Sequence, residues 1–251
     1  MSRSLRGLRI LNTRPHKQAA SLSTAIRAGG GSVIELPTLE IQATPDWLHS
    51  LPDLKKINQA IFVSANAVEH CFMQLNQANI SWPSSIKVIA IGQGSTMMLK
   101  QFDTHVHMIP EMPNSEHLLV INSLQQPQKQ NILLVKGKEG RTLIEETLSS
   151  RGANLIVLNV YQRAMPKINP QFVKSIWRED LVDIILITSE QSIHHLFKLF
   201  EEEAHNWLRS KTCLVLSERL AHVAFSLGIN TIIRSHPSRM MNALFNYVIK
   251  D

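Results

Sequence analysis

Residues 62–68 read Phe-Val-Ser-Ala-Asn-Ala-Val, the apolar end of a strand followed by a serine and the start of a helical pattern. The same arrangement returns at residues 187–193 as Ile-Thr-Ser-Glu-Gln-Ser-Ile, 125 positions further along the chain. The next strand and turn keep this separation, since Ile-Ala-Ile-Gly at 89–92 matches Leu-Val-Leu-Ser at 214–217. Two matches in one register, with a third likeness nearby, favour an ancient duplication into two similar α/β lobes.

Strand and helix patterns alternate along the whole chain. Residues 8–12 (LRILN) form a short apolar run, after which Ala19, Leu22 and Ile26 recur on one helical face. Three glycines at residues 29–31 end that helix. The same order returns at later apolar runs, namely residues 33–36, 60–63, 88–91, 132–135, 184–187 and 214–216. The pattern predicts buried parallel sheets with helices covering them.

The composition excludes several classes of protein. The chain has 251 residues, of which 44% are hydrophobic and 18% charged, so it can form two cores and is too apolar for intrinsic disorder. No apolar run approaches the roughly 20 residues that span a bilayer, and the first residues lack a signal-peptide core. Cys71 and Cys213 lie far apart in apolar surroundings, which argues against a disulfide framework. We therefore expect a cytoplasmic protein that does not bind membranes.

The charge favours an anionic partner. Lys and Arg number 26 against 20 Asp and Glu, which gives a formal charge of +6. The basic residues are scattered and no nucleic-acid-binding motif occurs, so the pattern favours a small polyanion held in a cleft over nucleic acid. On charge alone, an ordinary solvated surface is the alternative.

We predict neither a nucleotide cofactor nor a metal. Residues 137–141 (GKEGR) follow a strand and precede a helix, yet they lack the spacing of a P-loop, and no dinucleotide fingerprint occurs. Among the eleven histidines, His105 and His107 form the only alternate pair, and no H-E-x-x-H occurs. A nucleophile elbow of the G-x-S-x-G type is also absent, so covalent catalysis has no candidate residue.

Hydroxyl-bearing residues, an asparagine and glycines follow several predicted strands and open the next helices. Open α/β sheets bind ligands at this edge, where free helix amides accept carboxylates or phosphates. Ordinary N-capping by the same side chains is the alternative. The residues concerned are Ser64, Asn66, Gly92, Ser95, Ser115, Gly137, Thr188, Ser189 and Ser217.

The two tyrosines differ in their surroundings. Tyr247 lies in an apolar helix near the end of the sequence and is predicted to pack there. Tyr161 ends the strand at residues 155–160 and precedes an extended connection that contains Pro166. Its phenol is a candidate proton or hydrogen-bond donor to a substrate, and simple packing against a neighbour is the alternative.

Taken together, these motifs resemble those of the uroporphyrinogen-III synthase family over nearly the whole chain. The resemblance rests on the order and spacing of short stretches: Thr13-Arg14-Pro15, residues 62–68, Ala90-Ile91-Gly92 with Ser95, residues 113–118 (PNSEHL), residues 136–141 (KGKEGR), Val160-Tyr161-Gln162, Ile187-Thr188-Ser189, Ser217-Glu218-Arg219 and Pro237-Ser238. Three positions depart from the family pattern: Lys136 stands where Arg is frequent, Asn12 where an aliphatic residue is usual, and Leu220 where a Thr is frequent.

The resemblance implies two similar parallel-sheet α/β/α lobes joined by a two-stranded extended linker. One lobe would comprise residues 1–36 with 167–251, and the other would comprise residues 43–158. The interlobe linkers would be residues 37–42 and 159–166. Thin linkers bury little surface, so hinge motion between the lobes is expected.

The resemblance also implies the chemistry, which is the cyclisation of hydroxymethylbilane to uroporphyrinogen III with inversion of ring D and loss of water. The substrate is a linear tetrapyrrole with eight carboxylates, which would suit a basic protein with hydroxyl-lined turns. Tyr161 would be the catalytic residue that assists departure of the hydroxyl. The substrate-binding residues would be Arg14, Ser64, Asn66, Gly92, Ser95, Ser115, Lys136, Gly137, Arg141, Thr188, Ser189, Ser217 and Ser238. A monomer without cofactor is expected, and a non-catalytic bilobed binder of small anions is the alternative.

Overall fold

The chain forms two compact units in the computed structural model, which describes residues 4–249. The first unit contains the chain up to Glu40 and again from Ala164, whereas the second contains Ile41–Arg163. The chain therefore leaves the first unit once and returns to it once. The lobe limits that the family resemblance implies, and the linker role of residues 37–42 and 159–166, stay predictions.

Residues 4–249 form ten strands and eleven α-helices. The strands are β1 (Arg9–Asn12), β2 (Ser32–Glu35), β3 (Glu40–Ala43), β4 (Gln59–Phe62), β5 (Lys87–Ala90), β6 (Asn131–Gly137), β7 (Asn154–Ala164), β8 (Ile184–Ile187), β9 (Thr212–Val215) and β10 (Ile232–Arg234). The helices are α1 (His16–Ala28), α2 (Ala65–Gln77), α3 (Gln93–Gln101), α4 (Ser115–Leu118), α5 (Asn122–Gln125), α6 (Leu143–Ser150), α7 (Pro170–Arg178), α8 (Glu190–Leu199), α9 (His205–Ser210), α10 (Glu218–Ser226) and α11 (Met240–Val248). None of these helices is long and apolar enough to cross a membrane.

Each unit is built on one five-stranded sheet. In the first unit the strand order is β10-β9-β8-β1-β2, and neighbouring strands run parallel. In the second unit the order is β3-β7-β6-β4-β5, and the four strands from β7 to β5 run parallel. The predicted α/β class with parallel sheets is therefore confirmed.

Helices cover both faces of each sheet because the central strands are apolar on both sides. Successive side chains of a strand point to opposite faces. Ile61 and Phe62 of β4 are both fully buried, and they belong to two separate core clusters of the second unit. Ile184 and Ile185 of β8 are also fully buried, and they belong to two separate core clusters of the first unit. Each unit thus has a helix layer, a sheet and a second helix layer.

The two sheets repeat the same strand arrangement. Read from one side, β7-β6-β4-β5 in the second unit corresponds to β2-β1-β8-β9 in the first. Ile61 of β4 faces Leu134 of β6, and Leu186, which lies 125 positions after Ile61, faces Asn12 of β1. The sequence repeat is therefore matched in the strand order and in the register of the central pair of strands.

Candidate active site

Three of the predicted serines cap helices at the carboxyl ends of strands. Ser64 follows β4, Ser189 follows β8 and Ser217 follows β9. The hydroxyl oxygen of each accepts a hydrogen bond from the backbone N–H three residues further on, at 3.0, 3.1 and 3.2 Å respectively. N-capping, the ordinary alternative, is therefore one role of all three. A capping hydroxyl still keeps its own hydrogen for a second partner.

Tyr161 lies on β7, and its ring packs against Gly137 of the neighbouring strand β6. A Cβ atom built on Gly137 would lie 2.6 Å from Tyr161 Cζ and 3.0 Å from Tyr161 Oη. Only glycine leaves space for the ring at this point. The backbone N–H of Lys138 donates to the Tyr161 carbonyl at 2.8 Å, and Tyr161 is 6% exposed. The ring is therefore held in one place by backbone and by packing.

The Tyr161 hydroxyl reaches the Ser64 turn. Its Oη lies 3.2 Å from Ser64 Oγ. In the order β7-β6-β4 the two parent strands are two spacings apart, roughly 10 Å, and the tyrosine can cross this distance because Gly137 has no side chain. The His70 ring of α2 lies beside the phenol, with 5.9 Å between ring centroids. Three predicted residues thus converge, together with His70, which the sequence did not indicate.

Two of the three predicted basic residues are ion paired within the second unit. Lys136 is 8% exposed, and its Nζ contacts the Glu145 carboxylate of α6. The exposed Arg141 guanidinium pairs with Glu116, and its hydrogen bond lowers the pKa of that carboxyl. Both cations are therefore already compensated, so each would have to exchange a partner to bind a substrate carboxylate.

Arg14, by contrast, has no carboxylate partner among residues 4–249. It is half-buried in the turn between β1 and α1, its Nε has no hydrogen-bond partner, and burial lowers the pKa of the guanidinium. Pro15, the residue before α1, makes no side-chain cap to the helix. A partly desolvated cation without a carboxylate partner, beside a helix amino end that no side chain caps, is a candidate site for a carboxylate.

Buried hydroxyls that the sequence did not indicate hold the Arg14 turn. Thr13 Oγ1 donates to the Leu186 carbonyl at 2.6 Å and lies 3.1 Å from Ser192 Oγ. Ser192 Oγ also lies 2.6 Å from Thr38 Oγ1. All three hydroxyl side chains are buried. A satisfied network of this kind fixes the end of β1 against β8 and α8.

The other predicted residues differ in how accessible they are. Gly92 caps α3 with an extended backbone, and a Cβ atom there would lie 2.8 Å from Pro113 Cβ. Ser115 opens the short helix α4, whose capping side chain is that of Asn114. Ser95 is 3% exposed inside α3, so it presents little surface to a ligand. Half-buried or exposed positions are taken by Asn66, Thr188 and Ser238.

A cavity of about 640 Å³ lies elsewhere in the second unit. Its walls include Phe72, Trp82 and Phe102, from segments that precede β5 or follow α3, and none of the predicted site residues lines it. It therefore lies at the amino end of β5, away from the edge where open α/β sheets bind ligands. Within residues 4–249, no three or more His, Cys, Asp and Glu side chains are grouped so that they could hold a metal ion.

Comparison with known proteins identifies relatives along most of the chain. The family model described as uroporphyrinogen-III synthase HemD matches residues 20–245. A uroporphyrinogen-III synthase of Salmonella typhimurium is 30% identical over 226 residues, which cover 87% of this chain and 91% of that protein. One from Proteus mirabilis is 34% identical over 158 residues, covering 61% of this chain and 79% of that protein.

A solved structure shares the fold. A mutant uroporphyrinogen III synthase of Thermus thermophilus matches with a TM-score of 0.61 at 14% identity, covering 98% of this chain and 100% of that chain. At this level of identity the likeness concerns the fold.

Proposed function

The chain belongs to the uroporphyrinogen-III synthase family, and from this membership we propose that it converts hydroxymethylbilane to uroporphyrinogen III. The observation that carries the proposal is the family match over residues 20–245, a range that includes every predicted site residue except Arg14. The alternative, a non-catalytic binder of small anions, has no comparable support.

The proposed reaction begins with loss of the hydroxyl on ring A. The C–O bond breaks, water leaves and an azafulvene cation forms. Ring D then attacks through its substituted carbon to give a spiro pyrrolenine, which fragments and recloses with ring D inverted. The ring D carbon that makes the last bond loses its hydrogen as a proton, so water is the only other product. We class the enzyme as a cyclising lyase that needs no cofactor.

Conformational control is the main task in this proposal. The free bilane can close without inversion, so the protein must favour attack at the more crowded carbon. Holding the reacting carbons close together in one folded conformation supplies that preference. The proposal therefore assigns most of the catalysis to binding, and a smaller part to acid assistance.

Substrate carboxylates are proposed to bind at the turns that follow the strands. Arg14 is the strongest candidate, because its charge is uncompensated and the amino end of α1 lies beside it. Ser189 and Ser217 are exposed caps whose hydroxyl hydrogens are available for donation. Because a partly enclosed charge is screened less than an exposed one, higher salt should weaken substrate binding moderately. Affinity that is unchanged between low and high salt would count against this arrangement.

Tyr161 is proposed to protonate the departing hydroxyl, or to hydrogen-bond to it. Its support is the way Gly137 and Ser64 hold the phenol. The proton that the phenol gives to the leaving water is replaced by the proton that ring D releases at the end. General acid assistance of this kind contributes about 10²- to 10⁴-fold in rate.

We also propose that the protein works as a monomer in the cytoplasm. Two buried, unpaired cysteines suit a reducing compartment. Burial raises the pKa of the Cys213 thiol to about 12 and that of the Cys71 thiol still further, so both thiols stay protonated and unreactive near neutrality.

The test is product analysis with the purified, metal-free protein. Mixed with hydroxymethylbilane, it should yield the type III isomer in excess over the type I isomer that forms spontaneously. Formation of type I alone, at protein concentrations comparable to substrate, would exclude the synthase function. If the bilane nevertheless bound to the protein, that outcome would favour the anion-binding alternative.

A further inference from the structure

We propose that Ser64 is a positioning residue, whose hydroxyl turns the reactive hydrogen of Tyr161 toward the substrate. This inference rests on the proposed function of Tyr161 as donor and extends it to a second residue. It assigns to the Ser64 hydroxyl a role different from that of a direct carboxylate ligand, the role implied by the family resemblance.

The Ser64 oxygen is fixed by the helix that it caps. Ser64 Oγ accepts a hydrogen bond from the backbone N–H of Ala67 at 3.0 Å, so one lone pair faces the first turn of α2. The Ser64 hydrogen then points away from that turn, and Tyr161 Oη lies 3.2 Å from the same oxygen. A hydroxyl can accept and donate at the same time, so the Ser64 hydrogen is available for this second contact, and the proposal takes Ser64 as the donor to Tyr161.

The direction of this hydrogen bond decides what the phenol can do. If Tyr161 donated to Ser64, its hydrogen would be occupied and could not reach a leaving group. If Ser64 donates, the Tyr161 hydrogen is free to point elsewhere. The bond from Ser64 then strengthens as the phenol gives up its proton, because hydrogen bonds to an ionised acceptor are shorter and stronger.

Rotation of the hydroxyl is the main freedom left to Tyr161. Gly137 lies directly against the ring, and the Lys138 N–H holds the Tyr161 carbonyl. The ring itself therefore has little room to move, whereas the O–H bond can still rotate about the C–O bond. Ser64 is placed to select one orientation of that rotor.

The experiment separates the hydrogen bond from the helix cap. Glycine caps helices nearly as well as serine, whereas alanine caps poorly. We therefore expect Ser64→Gly to keep a melting temperature near that of the wild type and Ser64→Ala to lower it. Both variants should nevertheless lose about 10- to 100-fold in kcat with KM unchanged, since both lack the donor. Ser64→Thr, which restores a hydroxyl, should recover most of the kcat.

A cap outside the site supplies the matched control. Asn169 caps α7 and accepts from the backbone N–H of Gln171 at 2.9 Å. Asn169→Ala should lower the melting temperature as Ser64→Ala does and leave kcat unchanged. If kcat followed stability across all these variants, Ser64 would act as a cap alone and the proposal would be wrong.

A double variant tests whether Ser64 acts through Tyr161. Ser64→Gly should cost nothing further in a Tyr161→Phe background, because the group that it orients is gone. If the kcat losses of the two substitutions multiply, or if KM rises while kcat stays normal, Ser64 binds substrate directly. Either result would overturn this inference and leave the proposed function standing. Full turnover by Tyr161→Phe would remove the role of Tyr161 and this inference with it. Absence of type III product from the wild type would refute the proposed function itself.

Discussion

The turn between β4 and α2 and the turn between β8 and α8 have the same cap but different neighbours. Ser64 and Ser189 lie 125 residues apart, and each accepts from the N–H three residues on. Ser64 meets the Tyr161 hydroxyl, whereas Ser189 is exposed and the next hydroxyl of its helix, Ser192, joins a buried network. The same strand, turn and helix therefore have a phenol beside the cap in the second unit, whereas in the first unit buried hydrogen bonds hold the turn.

The strands next to β4 and β8, which are β6 and β1, lead to basic residues that also differ in their partners. Since Leu134 and Asn12 hold equivalent places in the two sheets, Lys136 and Arg14, two residues later, are equivalent too. Lys136 is buried and paired with an α6 carboxylate, whereas Arg14 is half-buried and unpaired. The first unit therefore leaves its cation without a carboxylate partner, whereas the second pairs its cation with a carboxylate of α6.

The largest effect is expected at Gly137, the position that lets the Tyr161 ring cross β6. Gly137→Ala would place Cβ 2.6 Å from Tyr161 Cζ, so the ring must move away from Ser64. We expect a loss of at least about 100-fold in kcat and of about 1–3 kcal/mol in the free energy of unfolding. Steady-state turnover and urea unfolding measure the two effects.

A glycine in an open helical position provides the control for Gly137. A Cβ atom on Gly94 of α3 would have no neighbour closer than 4.0 Å. Gly94→Ala, at the second residue of α3, should therefore leave the free energy of unfolding equal to that of the wild type or slightly higher, with unchanged turnover. Wild-type kcat in Gly137→Ala would show that the contact with Tyr161 has no part in catalysis.

The two equivalent cations should respond differently to the same substitution. Lys136→Met leaves Glu145 without its partner, and because that carboxylate is only partly buried we expect a loss of about 1–3 kcal/mol in unfolding free energy. Arg14→Met breaks no ion pair, so stability should hold while KM for the bilane rises. Thermal unfolding and substrate titration together measure this contrast. Equal losses of stability at both positions would contradict it.

The smallest effect on turnover is expected at Ser192, in the hydroxyl network of the first unit. Position 192 corresponds to Ala67 in the second unit, so Ser192→Ala makes the first unit resemble the second. The change leaves Thr13 and Thr38 short of a partner and should cost about 1–3 kcal/mol in unfolding free energy. Turnover should stay within about twofold. A strong fall in kcat at full folding would mean that both turns, and not one, carry the chemistry.

The local features of the fold were predictable from the sequence. Apolar runs identify strands, and the residues that follow them identify helix caps. The structure has strands β4 and β8 at two such runs, and the serines after them, Ser64 and Ser189, cap the next helices. The repeat at 125 residues also indicated two similar lobes, because equal spacing survives in the sequence even where side chains change.

The contacts that make up the site could not be predicted in the same way. Ser64 and Tyr161 are 97 residues apart, and only the strand order β7-β6-β4 brings them together over Gly137. The pairing of Lys136 with Glu145 depends on where α6 packs against the sheet, and no pattern in the sequence predicts that position. Thr13 and Ser192 are 179 residues apart, so the network that holds Arg14 was missed altogether.

The most direct test of the account is turnover of hydroxymethylbilane by Tyr161→Phe, with the product isomers separated and Tyr247→Phe measured beside it. Tyr247 lies in α11 of the first unit, and its hydroxyl is 3.4 Å from Thr212 Oγ1 of β9 in the same unit. We expect Tyr161→Phe to stay folded and lose about 10²- to 10⁴-fold in kcat, and Tyr247→Phe to turn over as the wild type does. Wild-type turnover in Tyr161→Phe would contradict the central claim that this phenol takes part in the reaction.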